Sequence, residues 1–523
     1  MRKPAFGNAR QQSSGDVREI YLPAPTLGLS DNQARIAADP RYARDIRDFW
    51  PLEQGLLMRP GRILWASRPG IGEVKSLATY PGVSGTPEMW AITNSGIYNA
   101  TVSGVMPAAA LALGVTTLPW SWVNFTNSAG TVFLVGTHGL PDGPKTYNGA
   151  AWTVPAITGV TSLSALWYVW SFKRRLFYLS QSAGEEMYAW YLPVDSIQGE
   201  AKKFPVGPNF PRGGKLVSGG SWTLDGGNGP DDYCFFITDQ GEIAVYEGID
   251  PSTADSFALV GVFYVGKIGL NPRCWVREGA DVLISSMTGI YSLTAIVRAG
   301  QAIPAKSETE EISIRWAMFQ NNASIGGSPP YQLAYYAPEN MLLAYSVGQF
   351  AQNRKTGAWT LFTLGGVCFV EFSTTIPFGN TAWNLFLGYG GSADGEIYRV
   401  GGKDDNGDPI FFIVENAPVK LVKQGNAVVQ QLKFNWGVGY SATVAATSGF
   451  DFSYDVEMDG IGQGSQSINY WNKWCAAFNS AGQNLGIYIS LSSKLFYNPG
   501  SYDQMNIFYG TQVQYRVGSS SMP

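Results

Sequence analysis

The chain has little of what catalytic and metal sites are usually built from. Its 523 residues include one histidine and four cysteines, and Asp, Glu, Lys and Arg together reach only 15%. A Ser-His-Asp triad would have to use His138, and a zinc site would lack the usual His/Cys set. His138 stands beside Gly139 between apolar runs, which predicts a polar turn residue. Cys234, Cys274, Cys368 and Cys475 lie far apart with no C-x-x-C pair. They read as buried thiols of a protein folded in a reducing cytoplasm, not as a disulfide framework. The net charge is −4 and there is no dense Lys/Arg block, which argues against a dedicated nucleic-acid binder. The trio Lys173, Arg174 and Arg175 is too short for a groove and reads as the solvated edge of a strand. Apolar stretches such as VMPAAALALGV are interrupted and too short to span a bilayer. The opening MRKPAFGNARQQSSG has no apolar core of signal-peptide length, so a soluble or assembly-bound protein is expected. No phosphate loop is present, because SGGSWTLDGGNG is not followed by a helix with Lys-Ser/Thr.

What the chain does have is glycine, 62 residues of it, and 14% aromatics, the composition of a turn-rich all-β protein. One phrase recurs: an apolar run, a turn ending in Gly, then an aromatic. It reads MWAITNSGIYNAT around Tyr98, CFFITDQGEIAVYEG around Tyr246, VLISSMTGIYSL around Tyr291 and LFLGYGGSADGEIYRV around Tyr398. Looser copies are FLVGTHGLPDGPKTYNGAAW, LFYLSQSAGEEMYAWYL and LLAYSVGQFAQNRKTGAW. In each, an alternating strand meets a turn whose Gly can take φ > 0, and a second strand follows. A spacing of roughly 40 to 60 residues is the period of a four-stranded propeller blade. Seven units fit between about Gly70 and Gly402, with six to eight tolerable. The four tyrosines should occupy equivalent, largely buried places.

The expected architecture is all-β: a β-propeller of about six to eight blades over 51–402, then a β-sandwich-like domain over 403–523. Residues 1–50 read as an extended arm with a short helical segment, because Pro23 and Pro25 disfavour helix before them. Ser30 offers a cap for that helical pattern, which Pro40 breaks. An insertion over 297–330 carries a capping-box start, Ser307 with Glu310, although ISIRW also alternates like a strand. Ile20, Tyr21, Leu22, Leu27 and Leu29 suit a strand added to an existing sheet edge. They are expected to dock on the propeller, on the C-terminal sandwich or on a neighbouring subunit, with residues 1–14 ordered only through a partner.

Carboxylates are the remaining catalytic option. Asp225, Asp231, Asp232 and Glu278 are the acids a propeller glycosidase could converge on its tunnel. Asp404, Asn406 and Asp408 resemble the opening of a calcium loop, but Gly is missing at the sixth position and Glu at the twelfth. Asn406-Gly407 is also a strong hairpin turn, the favoured reading. Trp120, Trp122, Trp152, Trp167, Trp170, Trp190, Trp222 and Trp275 recur at blade positions, where packing between blades outweighs a sugar platform. No catalytic residue, cofactor or metal is expected.

The runs YLPAPTLGLS, RDFWPLEQGLLMRPGRILWASRPGIGEVKSLATYPG and EMWAITNSGIYNAT carry a resemblance. They resemble the opening of β-propeller tail nozzle, or head-to-tail connection, structural proteins of short-tailed bacteriophages. In that family P-A-P-x-x-G-L precedes N-W/F-x-P and G-x-x-x-R-x-G, then V-x-x-L-x-x-Y and the first blade. Matching positions are Pro23, Ala24, Pro25, Gly28, Leu29, Phe49, Pro51, Gly55, Arg59, Gly61, Val74, Leu77 and Tyr80; Asp48-Phe49-Trp50 replaces the usual Asn-Trp. The resemblance implies a virion tail protein made in the host cytoplasm, a homo-oligomer forming a hexameric ring on a phage adaptor. It also implies tail fibres or spikes as partners, phage DNA passing through the lumen unread, and no enzymatic role. A mildly acidic composition suits such a channel, since a basic lining would hold phosphate. The alternatives from the residues alone are a carbohydrate-binding propeller and, more remotely, a propeller glycosidase.

Overall fold

The computed structural model describes residues 17–32, 39–82, 85–115, 119–223, 233–253, 256–300, 307–325, 331–346, 348–375, 381–402, 404–421, 426–438, 450–458, 461–468, 475–476, 485–486, 488–497 and 506–518. They form two compact units. One comprises Ser30–Asn32 and Pro60–Asp408; the other gathers the described residues of Met1–Leu29, Gln33–Arg59 and Pro409–Pro523.

The first unit is a propeller of seven blades. Blade 1 is Ser76–Tyr80, Glu88–Ile92, Gly96–Asn99 and Leu111–Ala112, and blade 2 is Ser121–Thr126, Val132–Thr137, Lys145–Tyr147 and Trp152–Thr153. Blade 3 is Leu166–Phe172, Arg175–Ser180, Tyr188–Tyr191 and Lys202–Pro205, and blade 4 is Leu216–Trp222, Tyr233–Thr238, Glu242–Gly248 and Phe257–Tyr264. Blade 5 has, among the described residues, the three strands Trp275–Glu278, Asp281–Ser286 and Gly289–Ser292. Blade 6 is Gln332–Tyr336, Met341–Tyr345, Gln349–Asn353 and Trp359–Phe362. Blade 7 is Gly366–Thr375, Thr381–Tyr389 and Ile397–Val400, completed by Arg62–Ser67 from the beginning of the unit. That last pairing closes the circle with a strand from the opposite end of the unit, Arg399 standing opposite Ile63.

Period-two alternation explains how so few charges suffice. Leu77, Met89, Ala91 and Tyr98 of blade 1 pack with Cys368, Phe372 and Phe386 of blade 7. Their neighbours Ala78, Tyr80, Trp90 and Ile92 pack with Trp120, Leu134 and Tyr147 of blade 2. Both faces of blade 1 are therefore buried. The low charge content belongs first to this doubly covered core.

Tyr98, Tyr246, Tyr291 and Tyr398 all lie on the third strand of their blades. Three are buried and Tyr291 is half-buried. Gly96 does not have the positive φ expected of the turn glycine, whereas Gly241, at +86°, does. At Gly96 the constraint is crowding, since a Cβ there would lie 2.6 Å from the Leu111 carbonyl oxygen.

Local readings differ in three further places. Lys173 and Arg174 form the tight turn between the first two strands of blade 3, with φ of 45° and 60°, instead of a strand edge. In the arm, residues 33–38 lie outside the described residues, and the rest of the expected helical pattern is strand, Tyr42–Arg47. Pairing with Phe411–Asn416 overrides the local helical spacing there. The helix α1, Leu293–Ala299, leads into the insertion, which contains α2, Ser313–Ile325, so ISIRW begins a helix. Its start is capped by Asp31, whose carboxylate accepts from the backbone N–H groups of Ile314 and Arg315 at 3.2 and 2.8 Å.

The second unit is a sandwich of two sheets. In one, Asn506–Gly518 pairs along its length with Asn426–Val438, and on its other side with Val17–Pro23 and Leu56–Met58. The other runs Gly28–Leu29, Tyr42–Arg47, Phe411–Asn416, Tyr488–Tyr497, Phe450–Met458 and Ile461–Ile468. The sheets meet through Phe49 on Phe412 and Phe434 on Tyr454, ring centroids 5.2 and 5.0 Å apart.

Candidate functional site

The arm is built into the terminal unit of its own chain. Ile20 pairs with Val513, Tyr21 with Gln512 and Leu22 with Thr511 in the antiparallel ladder. Ile20 is half-buried, Leu22 is buried, and Tyr21 is 49% exposed with its hydroxyl donating to the Tyr509 carbonyl. The chain then turns: Ala24 donates to the Tyr509 carbonyl at 2.9 Å, and half-buried Leu27 donates to the Arg41 carbonyl at 3.0 Å. Gly28, at φ +77°, lets the backbone swing into a second short strand that buries Leu29 beside Tyr42–Arg47. One arm thus contributes a strand to each sheet. Its approach is close, since a Cβ at Gly510 would lie 2.4 Å from the Leu22 carbonyl oxygen. Residues 1–14 lie outside the described residues.

Other positions of the arm phrase also do structural work. Arg59 Nε meets Asp48 Oδ1 at 2.5 Å with both side chains buried, a pairing that Asp48 reaches at φ +60°. At Gly61 a side chain would collide with the Asp404 carbonyl, 1.8 Å away. Val74 accepts from the Cys368 thiol at 3.5 Å across the blade 7–blade 1 seam.

At the propeller axis the first strands are linked in sequence by polar contacts. Trp120 donates to Ser76 Oγ, Ser121 Oγ to the Val169 carbonyl, Ser221 Oγ to the Ser171 carbonyl and Ser218 Oγ to the Pro272 carbonyl. Arg273, at the start of blade 5, reaches blades that are not its neighbours. Its guanidinium donates to Ser76 Oγ, to the Lys75 carbonyl at 3.4 Å, to the Trp120 carbonyl at 3.3 Å and to Gln332 Oε1 at 3.3 Å. Blades 1, 2, 5 and 6 thus share one guanidinium where their first strands converge. Nothing in its local sequence, NPRCW, announces that role.

A second device escaped the sequence reading although its signal was present. The second strand ends in a buried hydroxyl in five blades: Thr93, Thr137, Ser180, Thr238 and Ser286. In blade 1, Thr93 Oγ1 meets Ser95 Oγ, which donates to the Ile71 carbonyl and meets the Tyr98 hydroxyl, at 2.9, 3.0 and 2.9 Å. Blade 5 repeats this with Ser286, Thr288, the Val265 carbonyl and Tyr291, at 3.0, 3.0 and 3.1 Å. The clasp ties each turn to the segment entering its blade. Its signature is [Ser/Thr]-x-[Ser/Thr]-Gly-Ile-Tyr, the heart of the recurring phrase.

The residues weighed for chemistry are engaged or outside the described chain. Asp225, Asp231 and Asp232 lie outside the described residues. Glu278 is held by Arg354, which also binds Glu308, at 2.7 and 2.8 Å. Asn406 and Gly407, at φ 61° and 93°, make a two-residue hairpin turn between Asp405 and Asp408. Among the described residues no group of three His, Cys, Asp or Glu side chains could hold a metal ion. His138 is buried rather than exposed in its turn, stacked on Trp120 with its Nε2 3.4 Å from Asp142 Oδ2. Burial lowers its pKa to about 4, against a smaller opposing pull from Asp142. Burial likewise pushes the Cys274 and Cys368 thiols up, to about 12 and about 11. Of the tryptophans, Trp90 packs edge to face on Tyr147 and Trp152, Trp120 packs edge to face on Trp152, and Trp152 stacks on Tyr147 at the blade 1–2 seam. Trp383, on the second strand of blade 7, is 57% exposed.

No family model matches the chain, and no curated protein matches it. Among solved structures it is similar to Sqt1 of Saccharomyces cerevisiae, with 10% identity and a TM-score of 0.37 over 66% of this chain and 100% of that one. The computationally designed Ika8 protein is similar at 9% identity and TM-score 0.37, covering 65% of this chain and 99% of its own. An exo-β-1,3-galactanase from Phanerochaete chrysosporium is similar at 12% identity and TM-score 0.25, covering 75% and 99%. The class defined by the strands is an all-β protein with a β-propeller. Among the described residues no helix is long and apolar enough to cross a membrane.

Proposed function

We propose that this chain is a structural subunit of a phage virion: a tail nozzle protein that forms a ring around the DNA exit channel and connects the head adaptor to the distal tail. The observation that supports the reading most is the arm phrase. Gly28, Leu29, Phe49, Arg59, Gly61, Val74, Leu77 and Tyr80 each occupy a position that this fold constrains by turn geometry, burial or close approach. In this reading the chain has no catalytic role, its partners are copies of itself, an adaptor and fibres or spikes, and DNA passes through the assembled ring without sequence recognition. Recombinant protein imaged in negative stain should show rings, and purified virions should contain the chain. A protein that stays monomeric at high concentration and is missing from virions would sink the proposal.

A glycan-binding reading finds support in one residue, Trp383, whose exposed ring shares a sheet face with half-buried Glu371 two residues from its cross-strand partner Ser373. Burial raises the Glu371 pKa. Glycan-array binding lost in Trp383→Ala with the fold intact would favour this reading.

A further inference from the structure

Charge is so scarce on the second half of the propeller that its placement is informative. Between Arg315 and Arg354 the only charged residue is Glu339, and between Lys355 and Asp394 the only one is Glu371. Both are acids, and the fold brings both to the seam between blades 6 and 7. Among the described residues no Lys or Arg pairs with either carboxylate. Arg354, which also acts on this region through Tyr335, is already held by Glu278 and Glu308.

The seam forms a ledge. The first two strands of blade 7, Gly366–Thr375 and Thr381–Tyr389, have ten and nine residues, whereas Gln332–Tyr336 and Met341–Tyr345 of blade 6 have five each. Part of the hairpin face is covered: Phe369 packs on Tyr345 with ring centroids 4.8 Å apart, and Leu385 is buried. Towards the hairpin tip Trp383 is left 57% exposed. Blade 6 supplies the wall. The Tyr336 hydroxyl donates to the Trp383 carbonyl at 3.1 Å, and the backbone N–H of Ala337 donates to the Glu371 carboxylate. The turn Ala337–Glu339 then brings Glu339 to the surface. Burial raises the Tyr336 pKa to about 12, and the charges of Glu339 and Glu371 add to the rise, so both acids act on one hydroxyl.

On the hairpin face Ser373 stands opposite Trp383, and Glu371 stands opposite Leu385. Glu371 is therefore the diagonal neighbour of Trp383, about 7 Å away. An indole face, a half-buried hydroxyl and a carboxylate within that span suit a sugar ring, whose C–H face stacks while its rim hydrogen-bonds. A neutral sugar would leave the charge unmatched. Two carboxylates with no cationic partner favour a cation, and the face of a tryptophan attracts one as well. An ammonium on the rim of a ring stacked on Trp383 reaches Glu371 across the diagonal, while Glu339 adds its charge from the wall. A lysine side chain would match the acids but has no flat C–H face for the indole and no hydroxyl for Ser373.

We propose that this ledge binds saccharides bearing a free amino group, with Trp383 against the ring and Glu371 and Glu339 around the ammonium. The inference rests on the glycan-binding reading, names the sugar class for it, and is independent of the nozzle reading.

Calorimetric titration of the full-length chain with a glucosamine tetramer and with its N-acetylated counterpart tests it, because the two share a backbone and differ at the amine. The free-amine tetramer should bind about tenfold tighter, and added salt should narrow the gap. Glu371→Gln and Glu339→Gln should each remove most of that preference and leave the N-acetylated tetramer unaffected, whereas Trp383→Ala should abolish binding of both. Unchanged melting temperatures would show intact folds, and exposed Glu339 keeps the test usable should a change at Glu371 disturb the hairpin. Equal affinity for the two tetramers, lost in Trp383→Ala, overturns the amine requirement and keeps the glycan-binding reading. A preference that survives both Gln variants, or that a lysine-rich peptide matches, also overturns the inference. If neither tetramer binds while array glycans bind through Trp383, the inference fails and the glycan-binding reading stands. If no saccharide binds, both fall.

Discussion

Arg273 shows how one side chain can hold elements that are distant in sequence. Its planar fork donates to groups of blades 1, 2 and 6, and a lysine could not match those directions at once. Arg273→Ala should lower unfolding free energy by about 2 kcal/mol through the acceptors left unpaired, with Arg273→Lys recovering less than half. Hydrogen exchange should localise the loss to the starts of blades 1, 2 and 6, and a loss restricted to blade 5 would contradict a linking role. His138 carries a pH signature. Its pKa is lowered on folding from 6.5 to about 4, so the folded state resists its protonation. That contribution to stability is intact above pH 6.5 and falls progressively as pH drops from 6.5 to 4. A full shift corresponds to about 3 kcal/mol. His138→Phe should flatten the denaturation midpoint across that window; an unchanged slope would show that other groups set the acid response.

At the scale of elements, the arm and the closing strand have similar roles in different units. Val17–Pro23 occupies an edge of the terminal sheet, and Arg62–Ser67 completes blade 7. Arg62 anchors the latter, its guanidinium 4.3 Å from the Tyr389 ring centroid and 5.1 Å from that of Tyr398. Deleting residues 1–30 removes buried Leu22 and Leu29, each worth about 2 kcal/mol on transfer, and uncovers the edge of Asn506–Gly518. The truncated protein should keep a folded propeller, lose stability in the terminal unit and assemble poorly. Wild-type assembly by this truncation would rule out a part for the arm.

At the scale of the whole molecule, the closing strand makes the propeller independent. All seven blades lie within Pro60–Asp408, including the strand that completes the last. A fragment of residues 60–408 should therefore melt cooperatively, whereas 70–408 should expose an open blade and aggregate. Equal melting behaviour of the two fragments would show that closure adds little.

The blade repeat was legible because it rests on local chemistry. A period-two apolar run, a turn glycine and a following tyrosine appear in the primary structure, and all four named tyrosines occupy third strands. The Asn406-Gly407 turn was legible for the same reason, since its two positive φ values depend on those residues alone. Partners distant in the chain were not legible. Asp31 caps α2, Arg273 links blades 1, 2, 5 and 6, and Tyr42–Arg47 is a strand although its local spacing suggested helix. In each case the deciding bond joins residues that only folding brings together. The repeating unit can be read from the chain alone, because each turn is stabilised by its immediate neighbours. Which edges close and which side chain links blades 1, 2, 5 and 6 depend on where whole strands come to lie, so neither can be read from local neighbours.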